Sequence, residues 1–437
     1  MLRKTAALAL ALSAFVAAGC GGDDSKSGSS GSSGSTTGSV DPTEPVTITI
    51  WDWGVPDPKA TAVLDKAYKA DHPNVTIKRV HHPFENYQTV LRSAIAARKG
   101  PDAFVAYAAP FIQDFENGIL PVNDLQSDED AEKLGGWDYV ANPDGEILGV
   151  PSSGTGTQFY YNKSLFEKAG LDPEAPPATW DELLTVCDKL KASGVTPIAG
   201  GWKDGYYAEW WLMQLAHQYQ TDEVLEQATT PDWADPALDK AFGLMRDLYE
   251  RGCFTENSEA IPLFPNVINE FSAGKAGIIL GLPSSDIHWG QFRKTKWGKE
   301  GLGAFLAPLV PDSLWDEQRM NFAPGHATAI TRWSEHPEIV YDILSFEARA
   351  ESQQTLFEMA GALSNHADSE LQTDDPVGQQ IIDWSKTANP YAGQVVLIRA
   401  PVESLLVKFV PDIITGKTTY ADIADQIVAE HERASGR

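Results

Sequence analysis

The amino-acid sequence predicts an α/β protein built as two lobes. Strand and helix patterns alternate through the first hundred residues after Pro45, which implies a parallel sheet flanked by helices. About 390 residues remain once an N-terminal targeting and tether segment is set aside, more than one hydrophobic core ordinarily supports. Beyond Asn162 the sequence turns helix-rich, so the second lobe is expected to carry more helix than the first.

The elements follow in order. Val46 to Trp51 is a β-branched run that reads as a buried strand, and Ala60 to Ala70 has a helical pattern. Val75 to Val80 is a second strand, Tyr87 to Lys99 a helix with Val90, Leu91, Ala94 and Ile95 on one face, and Ala103 to Tyr107 a third strand. Glu146 to Pro151 and Gln158 to Asn162 are two further extended segments, separated by Ser152 to Thr157, a stretch too small and polar to be core. Helices are expected at Thr179 to Ala192 with Thr179 as N-cap, Tyr206 to Tyr219, Pro236 to Arg251 and Pro265 to Ala273. Ala276 to Leu282 and Ala327 to Thr331 are strands, and helices dominate from Pro337 onward.

The first twenty residues carry a separate signal. Arg3 and Lys4 are followed by an apolar run from Ala6 to Val16, then Ala17-Ala18-Gly19-Cys20, the order of a signal peptide over residues 1–19. The apolar run is too short for a bilayer span, which needs roughly 20 residues. Cys20 after small residues resembles a bacterial lipobox, which implies lipidation of its thiol and an extracytoplasmic, membrane-anchored protein. Of the 19 residues from Gly21 to Ser39, 14 are Gly or Ser, so residues 20–45 read as a flexible tether.

A formal net charge of −27 argues against nucleic acid and anionic lipid surfaces as partners. With Cys20 lipidated, only Cys187 and Cys253 remain of three cysteines, either as a disulfide or as two buried thiols. No spacing suggests a metal site or a cofactor, and the common catalytic signatures are missing from the sequence. The adjacent His81 and His82 would point to opposite faces of a strand. Asp128-Glu129-Asp130 reads as a solvated acidic turn.

Aromatic residues stand where a lobe would present loops: Trp53 after the first strand, Tyr107 after the third, Trp202, Tyr207 and Trp210 after Gly200, and Trp289 later. A sugar ring offers an apolar C–H face and a hydroxyl rim, matched by aromatic walls with a few polar groups. Glu85, Thr155, Asp204, Asp286 and Arg399 are candidate rim groups. Each aromatic can equally be core, since most Trp and Tyr in a chain of this size fill the interior.

The order of landmarks resembles the family 1 extracellular solute-binding proteins, the group that includes maltose-type sugar receptors. It runs from VTITIWDWG through LDKAYKADHPNVTIKRVHHPFENYQTVLRSAIAARKGPDAFVAY and FENGILPVNDL to ILGVPSSGTGTQFYYNKSLFEKAGLDPEAPPATWDELLTVCDKLKASGVTPIAG, then FSAGKAGIILG and HATAITRWSEHPEIVYDILSFEA. That resemblance implies a two-lobed periplasmic-binding-protein-like fold of class II, with ligand in a cleft and a multi-crossing hinge. It places lobe 1 at 46–154 plus 327–370 and lobe 2 at 155–326 plus 371–437. Ligand contacts would fall on Trp53, Gly54, the loop around His82 and Glu85, Ala106, Tyr107, Thr155, Asp204 to Trp210, and Ser284. The maltose-type pattern has an aromatic near Ser284 and near Glu403 and a charged pair at Ala109 and Pro110, so a sugar other than a maltodextrin bound in the same pose is implied. The expected function is non-enzymatic: a monomeric receptor that captures a carbohydrate and delivers it to an ABC permease. The rivals are a secreted carbohydrate-active enzyme and, from Tyr160-Tyr161, a ferric-ion receptor.

Overall fold

In the computed structural model the described residues are 44–108, 111–222, 232–282, 288–388 and 400–434. Residues 1–43, with the expected signal peptide, Cys20 and all but the last two residues of the expected tether, lie outside them, as do Ala109, Pro110, Ser284, Asp286 and Arg399. No helix among the described residues is long and apolar enough to cross a membrane.

Strands β1 (Val46–Asp52), β2 (Val75–His81) and β3 (Ala103–Tyr107) lie where the alternation puts them. β1 pairs in parallel with both β2 and β3, and the helices Pro58–Asp71 and Phe84–Ala97 form the crossovers. β4 (Ile119–Leu120), β5 (Val150–Asn162), β6 (Thr196–Ile198), β7 (Ala276–Gly281), β8 (Leu302–Phe305) and β9 (Asn321–Thr331) complete the strands. Their order is β2-β1-β3-β9-β5-β7-β6, with β4 beside β9 and β8 beside β5.

β5 is shared between the two halves of this sheet, and β9 is its partner in the first half. β9 pairs antiparallel with β3 through His326–Ile330 and with β5 through Asn321–Thr328. β5 pairs with β9 over Val150–Thr157, and from Gln158 to Asn162 it pairs with β7 and β8. Ser152 to Thr157, expected to be a non-core linker, is therefore the continuous middle of β5. Small residues permit this: a methyl on Gly156 would overlap the Asn321 carbonyl oxygen, and one on Gly154 would overlap the Phe322 ring. The sequence logic that read smallness as solvent exposure missed that close backbone approach also selects small residues.

The core divides accordingly. Ile48, Ile50, Ile330, Ile343 and Leu344 pack on one face of the first sheet, and Tyr87, Phe104, Phe115 and Ala329 on the other. A larger cluster around Phe159, Trp211, Phe242, Ile278 and Leu280 fills the second lobe. The fold is thus two α/β lobes joined through β5 and β9.

Helix starts repeat one chemistry. Asp57-Pro58, Asp235-Pro236 and Asp375-Pro376 each put an Asp carboxylate on free backbone N–H groups of the first turn, with Pro supplying a preset φ and no orphan N–H. Thr179 and Glu182 form a reciprocal capping box at the start of Trp180–Ala192. Asp128-Glu129-Asp130 opens a short helix, Asp128–Lys133, where the Asp130 carboxylate accepts from Tyr341 and Ser345. Cys187 and Cys253 are joined by a disulfide with Cα atoms 5.6 Å apart, tying that capped helix to the segment after Pro236–Glu250.

Candidate functional site

The parallel strands β1 and β3 end side by side, and the loops at carboxyl ends of such strands are where open α/β sheets place their ligands. Trp53 follows β1 and Tyr107 closes β3, and both rings are half-buried, with centroids 4.9 Å apart. Gly54, at φ +90°, makes the turn after Trp53 in a conformation that favours glycine, and its N–H donates to the Asp52 carboxylate at 2.7 Å. Below, the buried Tyr87 hydroxyl lies 2.7 Å from the Val105 carbonyl oxygen and 3.1 Å from that of Trp51. Its ring meets Trp53 edge-on at 5.0 Å, so the shelf rests on a fixed base. Phe84 leans on Trp53 and Tyr107 at 5.8 and 6.1 Å.

Strand β9 brings a third group to this shelf. His326 stands opposite Tyr107 in the β3–β9 register and opposite Ser153 in the β5–β9 register. Its ring centroid is 5.1 Å from Tyr107 and 5.9 Å from Trp53. Burial pushes its pKa down to about 4, so the imidazole is neutral near neutral pH. Farther along the same two strands, Thr157 stands opposite Asn321, and the Gln214 side-chain amide donates to the Thr157 hydroxyl. Asn321 is fully buried and neither of its amide atoms has a hydrogen-bond partner among the described residues; the same holds for Nδ1 of His326. Trp210 lies one helical turn before Gln214 on Tyr206–Ala216.

The remaining sequence candidates separate. Trp202 and Tyr207 have no exposed surface and are core residues here, not cleft walls. Trp202 stacks on Tyr207 at 5.6 Å and meets Phe254 edge-on at 4.8 Å, while the Tyr207 hydroxyl donates to the Leu280 carbonyl at 3.0 Å. Trp289, 7 % exposed, packs on Phe357 at 5.7 Å. Asp204, expected on the rim, accepts from the Leu263 N–H at 2.9 Å and fastens a neighbouring loop. Glu85 follows Phe84 on the helix beside the shelf and Thr155 lies in the middle of β5, and the side chains of both are outside the description.

His81 and His82 diverge as expected of a strand end: His81 Nδ1 bonds the Asp52 carboxylate, and the His82 ring lies against Trp51 at 4.7 Å. Tyr160 and Tyr161 are both buried, and their hydroxyls bond the carbonyls of Leu282 and Pro173 at 3.1 and 2.7 Å. Burial pushes both phenols up, away from the phenolate that would bind ferric iron.

The sequence reading missed His326, Asn321, Gln214 and Phe84. Phe84 adjoins the named Glu85 and was within reach; the other three are defined only by the pairing of β5 with β9 and by the helix packed on it.

The family model for bacterial extracellular solute-binding proteins matches residues 64–380. The sn-glycerol-3-phosphate-binding periplasmic protein UgpB of Escherichia coli (strain K12) is 29 % identical over 218 residues, 44 % of this chain and 47 % of that protein. The chain thus spans about half the length of the curated relatives it matches. Among solved structures, a chitin oligosaccharide binding protein superposes with a TM-score of 0.74 at 21 % identity, covering 90 % of this chain and 99 % of that one. Maltose-bound MalE3 of T. maritima does so with a TM-score of 0.72 at 18 % identity, covering 88 % and 98 %.

Proposed function

Because this chain belongs to the bacterial extracellular solute-binding protein family, we propose that it is a non-enzymatic receptor that captures a carbohydrate, an oligosaccharide in particular, and delivers it to an ABC permease. The observation that carries the carbohydrate is the shelf of Trp53 and Tyr107, two half-buried rings 4.9 Å apart at the ends of adjacent parallel strands. Aromatic faces of this kind take the C–H face of a sugar ring, and polar side chains around them take its hydroxyls. The names of the structural neighbours, which bind chitin oligosaccharide and maltose, support the same class.

The family acts outside the cytoplasm. The finer address is a lipid anchor at Cys20 after removal of residues 1–19, with residues 20–45 holding a monomeric receptor off the membrane. Support for lobes at 46–154 plus 327–370 and 155–326 plus 371–437 comes from β5, which changes partners between Thr157 and Gln158. A ligand touching both lobes favours the closed arrangement by its differential affinity for it. Glu85, Thr155, Trp210, Ser284, Asp286 and Arg399 are the further side chains proposed to line that cleft.

The test is a panel of mono- and oligosaccharides, with sn-glycerol 3-phosphate as the charged contrast, read by thermal shift and tryptophan fluorescence. At 100 times Kd a true ligand adds roughly 2.7 kcal/mol of stability. Silence across the sugars with a response to sn-glycerol 3-phosphate would replace the carbohydrate with a phosphorylated polyol. Product formation from an oligosaccharide would replace the receptor with an enzyme.

A further inference from the structure

We infer that His326 reads the ligand: its imidazole supplies a hydrogen bond to a hydroxyl of the sugar ring that rests on Trp53 and Tyr107. The inference stands on the carbohydrate reading above and adds a residue that only the fold brings to the site.

The first support is position. His326 contacts both rings of the shelf, and with Ala327 and Thr328 it forms the stretch of β9 that pairs with β3 on one side and β5 on the other, His326 lying at the end nearest the shelf. The second is backbone geometry. The β5–β9 register steps from Pro151 opposite Ala327, to Ser153 opposite His326, to Gly154 opposite Pro324. Ser152 on one strand and Gly325 on the other are thereby left without a paired residue, so the ladder is irregular on both sides of His326. Such bulges bend a strand and re-aim a side chain, and they concentrate next to functional sites.

The third support is an unmet hydrogen bond. His326 is 6 % exposed, yet its Nδ1 is buried and has no partner among the described residues. A buried polar atom left unpaired costs about 1–3 kcal/mol, so it calls for a role that offsets the cost. Chemistry fits the role to a hydroxyl. A neutral imidazole carries one donor and one acceptor nitrogen, as a hydroxyl carries a donor and an acceptor on one atom. Desolvation is the sole cause of the lowered pKa, with no charged side chain contributing to it.

The test compares His326→Phe, which keeps an aromatic ring of similar span, with His326→Gln, which keeps a donor and an acceptor. Affinity is measured by calorimetry for whichever of maltose, stachyose, xylobiose and chitobiose binds the parent protein, and the ligand-free melting temperature is recorded for each variant. The expected result is about tenfold weaker binding by His326→Phe, the effect of one lost hydrogen bond of roughly 1.4 kcal/mol. Its ligand-free melting temperature should equal or exceed the parent's, because an unpaired nitrogen has been removed. His326→Gln should recover part of the affinity. Binding by His326→Phe within twofold of the parent overturns the assignment while leaving the carbohydrate reading intact. A large fall in its ligand-free melting temperature without loss of affinity also overturns it, since the imidazole would then be holding the fold. A parent that binds none of the four sugars overturns the carbohydrate reading and this assignment together.

Discussion

Trp53 and Trp202 both follow a strand and precede a helix, and composition gives no means of ranking them. What separates them is coverage. Phe254, Tyr207 and Trp211 enclose Trp202 on several sides, whereas the Trp53 ring keeps part of its surface open above Tyr87. Trp202→Ala should therefore cost about 3–5 kcal/mol of stability, as large-to-small changes of buried aromatics do, measured by denaturant unfolding. Trp53→Ala should cost much less stability and instead abolish the ligand-induced thermal shift in the sugar panel. Equal stability losses in the two variants would remove the distinction between shelf and core.

At the scale of elements, β5 and the disulfide each connect parts far apart in sequence. Gly156→Ala forces a methyl against the Asn321 carbonyl oxygen near the end of the β5–β9 pairing, where the obstacle is backbone and not a flexible side chain. We expect a loss of about 1–3 kcal/mol, the range typical of overpacking, seen as a lowered midpoint in urea. The disulfide spans 66 residues, and chain-entropy reasoning assigns a loop of that size about 4 kcal/mol of stabilisation. Replacing both cysteines by serine should lower the melting temperature, and a reducing agent should do the same to the parent only. Both features were half legible beforehand. The two cysteines were visible as a possible pair, but whether helix Trp180–Ala192 brings Cys187 beside Cys253 is a matter of packing. The small residues of Ser152 to Thr157 were visible too, yet smallness has two causes, exposure and close approach, and only the partner strand distinguishes them.

For the whole molecule, buried histidines set the response to acid. Burial pushes His217, His288 and His326 down to about 4, below the roughly 6.5 of an unfolded chain. Between those two values the unfolded chain binds more protons than the folded one, so stability falls as pH falls through that window. The buried Glu347 works in the opposite sense, because its raised pKa makes the folded state the better proton acceptor there, but three histidines oppose one carboxyl. Melting temperature is expected to fall from pH 7.5 to pH 5, with His326→Phe reducing the slope. A flat profile over that interval would contradict the burial of these rings.

The sequence by itself determined the local elements of the first lobe, the helix cap at Thr179, the family to which the chain belongs, and the presence of aromatics suited to a sugar. These are properties of period, turn chemistry and side-chain type, which neighbours in the chain suffice to specify. The tertiary structure alone decided which aromatics are shelf and which are core, the pairing of β5 with β9, and the arrival of His326 beside Trp53 and Tyr107. Exposure and contact are set by residues more than two hundred positions away, as Tyr107 is from His326, and no local pattern records that meeting.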